Sequence, residues 1–134
     1  MNNEQYSTPD SDLSGEIETV KLNSGAYIVA IIFGVALVLG GILNLPMALP
    51  EMAEGVGWRW FPHYSGITSL IEFTSAYCLF FKKRWVIYLQ VFNVISNILV
   101  MYILGWSIIN ISFFVHLAII CFVLIYWRQL REDA

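Results

Sequence analysis

The chain has 134 residues, of which 58% are hydrophobic, 16% aromatic and only 13% charged, about half the charged share of a soluble globular domain. So little polar surface excludes a domain bathed in water on every side. The net charge of −3 and the lack of a basic stripe exclude nucleic acid as a partner.

Residues 1–24 form a polar, acidic tail in which Glu4, Asp10, Asp12, Glu16 and Glu18 face only Lys21. It has too few apolar residues to bury a core, so a disordered cytoplasmic tail is expected, with at most a short amphipathic turn near Leu13 to Val20. A cleavable secretory signal starts basic and turns apolar at once, and this tail does neither. The first apolar segment therefore reads as a permanent span, opening a single membrane domain over residues 25–134.

That first span covers residues 27–49, interrupted by Gly34, Gly40, Gly41, Asn44 and Pro46; about 20 apolar residues suffice to cross the hydrocarbon. The glycines offer a flat surface for close helix approach, although no strict GxxxG occurs there. Residues 46–63 make the longest connection, a mixture of helix formers and breakers that predicts a short interfacial helical turn. Its aromatic residues read as a headgroup anchor. Glu51, Glu54, Arg59 and His63 are the candidates for an outer rim that faces a ligand.

The second span covers residues 64–81, with Pro62 marking its start and the triplet Lys82, Lys83, Arg84 its end. The third covers residues 85–104 and the fourth residues 107–127. Only Gly105 and Trp106 separate them, so they form an antiparallel hairpin. The expected fold is thus all-α, a four-helix transmembrane bundle.

Lys and Arg collect in cytoplasmic loops, which places the triplet inside and, with four spans, both termini with it. Lys21, Arg128 and Arg131 agree, and only Arg59 stays outside. Trp and Tyr prefer the headgroup level, giving an inner belt of Tyr27, Trp85, Tyr88, Tyr126 and Trp127 and an outer belt of Trp58, Trp60, Tyr64 and Trp106.

An ionisable residue inside a bilayer is a functional candidate by default, because a charge there costs a few kcal/mol or more. Glu72 is the clear case, about 13 Å from the inner end of its helix at 1.5 Å per residue. Asn93, Asn97 and His116 fall about 12, 18 and 16 Å deep by the same count. Gln90, Asn93 and Asn97 at i, i+3, i+7 form one polar stripe, and Ser65, Thr68, Ser69, Glu72 and Ser75 form another. A buried cluster is expected in which Glu72 accepts hydrogen bonds from Asn93 or Asn97 and meets His116, as a neutral acid or as an ion pair. The plainer reading is helix glue, worth about 1 kcal/mol for each interhelical bond.

Phosphate loops, HExxH, GxSxG and metal-ligand spacings do not occur. No cofactor or metal site is expected, and Cys78 and Cys121 read as packing residues. Four short spans with Gly34, Gly40 and Gly41 in the first, a long outer loop and Glu72 in the second make a layout similar to that of the small DoxX-like membrane proteins. The likeness is one of architecture and carries no residue role or activity with it.

The first expectation for function is a non-enzymatic subunit or regulator of a membrane assembly, in contact with the lipid bilayer and with a second copy or a membrane protein partner. The alternative is binding or transport of a small molecule or proton at the cluster around Glu72. An enzyme acting on a lipid or quinone, with Glu72 and His116 as acid and base, stands third. Short loops fit a bacterial inner membrane best.

Overall fold

A computed structural model describes residues 22–130. The expected acidic tail up to Lys21, the turn near Leu13 to Val20, and Arg131 lie outside the described residues. Those residues fold into four α-helices and no strand: α1 (Ser24–Asn44), α2 (Phe61–Phe80), α3 (Val86–Leu104) and α4 (Ile111–Ile125).

Each boundary has a local cause. Asn23 caps α1, its side chain accepting from the amides of Gly25 at 2.6 Å and Ala26 at 3.3 Å, which satisfies orphan donors of the first turn. The helix starts at Ser24 and runs on through a 3₁₀ turn, Leu45–Ala48. Pro62 lies in the first turn of α2, where its missing N–H is no loss, so the helix begins at Phe61 rather than at Tyr64. Asn110 caps α4 by accepting from the Phe113 amide at 2.9 Å. The fourth helix is therefore only 15 residues long, shorter than the apolar stretch of 107–127.

Helices α2 and α3 end in the same way. The Trp106 amide donates to the Met101 carbonyl at 2.9 Å and the Gly105 amide to Tyr102 at 3.2 Å, with Gly105 left-handed at φ +68°. In α2 the Lys83 amide donates to Cys78 at 2.7 Å and the Lys82 amide to Leu79 at 3.2 Å, with Lys82 at φ +58°. Both are Schellman closures, one on glycine and one on lysine.

Helix α1 packs most closely on α2 through a stripe of Ala26, Ala30, Gly34, Leu37 and Gly41, all buried. A Cβ at Gly34 would overlap the Phe80 ring, and one at Gly41 would lie 2.8 Å from Phe73 Cε1, so these glycines let rings sit against bare backbone. The long connection from α1 to α2 folds back as a second 3₁₀ turn, Glu54–Val56, in keeping with the expected helical turn.

Polarity runs opposite to that of a water-soluble bundle. Ser69, Ser75 and Gln90 are completely buried and Asn93 nearly so, while Leu43, Tyr102, Ile111 and Ile125 are each at least 74% exposed. Two helices are long and apolar enough to cross a membrane: Ser24–Ala48, counting the 3₁₀ extension, and Val86–Leu104. The α2 helix has the length, but its polar face lowers its hydropathy; α4 is apolar but short.

Two apolar cores bracket a polar layer. The larger, at the end carrying Lys82 to Arg84, joins Leu79, Val86, Ile119, Phe122 and Val123. The smaller, at the opposite end, joins Ala53, Phe61 and Val100.

Candidate functional site

The polar layer is built around Glu72, which is 3% exposed on the inner face of α2. Three-and-four spacing along α2 puts Ser65, Thr68, Ser69, Glu72 and Ser75 on that face, and all five are buried. Three of the hydroxyls turn to the backbone: Thr68 donates to Tyr64 O at 2.9 Å, Ser69 to Ser65 O at 3.1 Å, and Ser65 across to Asn44 O at 2.7 Å.

Asn44, the last residue of α1, donates its amide to both carboxylate oxygens of Glu72, at 3.3 and 3.4 Å. The expected donors, Asn93 and Asn97, make no hydrogen bond to Glu72 among the described residues. Asn44 reaches the carboxylate because of the register between α1 and α2. The first three turns of α2 reach past the end of α1 and pack on the 3₁₀ turn of Leu45–Ala48, so that a Cβ on Gly66 would touch Ala48 Cβ at 3.5 Å. Asn44 is thereby level with Glu72 and not above it. Gly40, one turn earlier, leaves room for the carboxylate: a Cβ there would lie 3.1 Å from Oε2.

His116 on α4, also 3% exposed, brings its Nε2 within 3.8 Å of Glu72 Oε1. Its orientation is set from α3. Nδ1 donates to Gln90 Oε1 at 2.7 Å, and Nε2 accepts from the Asn93 amide at 3.4 Å. With Nδ1 committed as a donor, Nε2 is the acceptor nitrogen of the neutral ring, its lone pair taken by the Asn93 amide, and Glu72 Oε1 stands beside it at more than hydrogen-bond length. Carrying one proton in total, as acid and imidazole or as carboxylate and imidazolium, the two groups are neutral overall.

Above this pair opens a cavity of about 260 Å³. Asn44, Ser65, Thr68, Glu72, Asn97 and His116 line its deeper part, and Met47, Phe61, Met101 and Trp106 surround it toward the loops at the ends of α1 and α3. Asn97 Oδ1 is buried without a hydrogen-bond partner among the described residues. On the other side of Glu72 the larger apolar core, with Leu79 and Val86, closes the way.

Of the sequence candidates, Glu72, Asn93, His116 and Gln90 are brought into one connected cluster, and Asn97 borders the cavity beside it. The rim candidates Glu51, Glu54, Arg59 and His63 are exposed. Glu54 and Arg59 share a separate hollow with Pro50 and Trp58, and none of the four lines the cavity over Glu72. Asn44 stands outside the sequence candidates; its place near the end of a span, two residues before Pro46, was the available signal.

Among the described residues no group of three or more His, Cys, Asp or Glu side chains is placed to hold a metal ion. Cys78 is buried in the larger core and Cys121 is exposed. The chain matches no protein-family model, no curated protein and no solved structure.

Proposed function

We propose that the protein crosses a membrane four times, with Lys82, Lys83 and Arg84 on the cytoplasmic side, and binds a small polar molecule in a cavity that opens to the opposite side and ends at Glu72 and His116. The cavity is the observation that carries this reading. A bundle serving only as a structural subunit has no need of a hollow of about 260 Å³ walled by a carboxyl, an imidazole and the amides and hydroxyls of Asn44, Ser65, Thr68 and Asn97. Small-molecule sites are concave, with a few convergent polar groups.

Four spans are supported by the inverted polarity. The polar face of α2 is buried while Ile67, Leu70 and Phe81 are exposed, and α4 exposes Phe114, Leu124 and Ile125. Apolar patches of that extent need lipid or a protein to cover them. Orientation is supported by the basic end, where Lys82 Nζ lies 4.6 Å from the Tyr27 ring centroid and Arg84 stacks on Trp127 at 4.9 Å. Such cation and aromatic pairs suit the headgroup level. Trp60, Tyr64 and Trp106 meet Phe61 at the other end, and Trp58 packs on Trp60.

The test is side-specific chemistry. Ser112→Cys and Asn97→Cys, placed at two depths of the cavity, are treated with a membrane-impermeant methanethiosulfonate in sealed vesicles of known sidedness, with the wild-type chain as background. Both are expected to react from the Trp106 side only. Protection of both from that side, or reaction from the Lys82 side, defeats the reading.

A further inference from the structure

We propose that the cavity takes a small organic ammonium ion beside Glu72, in exchange for the one proton held by the Glu72–His116 pair. The proposal rests on the outward-open cavity of the preceding reading and names the ligand class that cavity selects.

Charge comes first. The cavity lining contains one carboxyl and no Lys or Arg, so an anion would meet no countercharge there, whereas a cation meets Glu72. The titratable groups facing Glu72 are few: His116 from α4 and, higher in the cavity, Tyr64 from α2 itself; α1 and α3 contribute only Asn44, Gln90, Asn93 and Asn97. With one proton the pair is neutral in either form. A monovalent cation that enters as that proton leaves keeps the layer neutral, and no net charge is left in a low-dielectric interior. In the step the O–H or N–H bond of the pair breaks, the proton passes through the cavity to water, and carboxylate faces ammonium, with His116 neutral.

Shape agrees with charge. Phe61, Tyr64 and Trp106 line the cavity, with ring centroids 6.1 and 6.3 Å from Phe61 to the other two, and aromatic faces attract quaternary ammonium groups. Asn97 supplies a buried Oδ1 with no hydrogen-bond partner among the described residues, which brings a partial negative charge to the same space. The volume of about 260 Å³ is below the roughly 300–1,000 Å³ of drug-sized sites, which limits the ion to a few heavy atoms.

Tetramethylammonium is the probe, because it has no proton of its own to release. The full chain in lipid nanodiscs, in weakly buffered solution, is titrated with its chloride while tryptophan fluorescence and a pH indicator are read together. Saturable binding with up to one proton released per chain is expected, with affinity falling about tenfold for each unit by which pH is lowered where the pair is protonated. Glu72→Gln should abolish the release, and Trp106→Leu, at the rim, should weaken binding several-fold while leaving the proton count unchanged. Absence of a saturable response, an equal response to tert-butanol or acetate, or binding without proton release each overturns the proposal. If the cysteine variants react from the Trp106 side and tetramethylammonium still does not bind, the cavity stands and only the ligand class falls.

Discussion

At the scale of single residues, space is set by glycine and orientation by amides. Gly34 lies where a methyl group would overlap the Phe80 ring, and overpacking of that kind typically costs about 1–3 kcal/mol. Gly34→Ala should therefore lower the unfolding midpoint in mild detergent clearly. Gly55→Ala, with nothing within 4 Å of its Cβ, should leave the midpoint almost unchanged.

Residue-level legibility was uneven for physical reasons. Gly105 announces a helix end, because only glycine takes φ +68° without strain. Lys82 gives no such signal, yet it occupies the same left-handed position at φ +58°; a residue with a Cβ there pays about 1–2 kcal/mol, set against its stacking on Tyr27. Sequence spacing assigned Glu72 and His116 to one depth, and they are in fact 3.8 Å apart. What spacing does not contain is the relative height of two helices, and it was the overshoot of α2 past α1 that put Asn44 on the carboxylate.

At the scale of elements, the chief polar tie between α3 and α4 is the imidazole. Gln90 holds Nδ1 at 2.7 Å and Asn93 approaches Nε2 at 3.4 Å, in surroundings where an unpaired polar group costs about 1–3 kcal/mol. Gln90→Leu should destabilise by that amount by stranding the ring N–H, and His116→Leu should do the same to Gln90. The double variant should lose less than the sum of the two, with a coupling of about 0.5–3 kcal/mol in a double-mutant cycle followed by reversible unfolding. Additive losses would show that the tie contributes nothing of its own. Helix periodicity made both polar stripes readable, since burial on α2 and α3 follows a spacing of three and four. The limits of α4 were less readable, because the apolar stretch of 107–127 runs past the Asn110 cap.

At the scale of the whole molecule, the helices are unequal in height. At 1.5 Å per residue the 21 residues of α1 rise about 31 Å and the 15 of α4 about 22 Å, beside a hydrocarbon layer of about 30 Å. On the four-span reading, lipid would have to thin along one flank only, next to the helix that brings Asn110, Ser112 and His116 to the cavity. Bilayer thickness then becomes a control on the site: acyl chains of 14 carbons should match α4 and give the higher melting temperature, while chains of 22 carbons should lower it. A protein whose shortest wall lines its binding cavity would thus report the thickness of its host membrane through the ligand it holds.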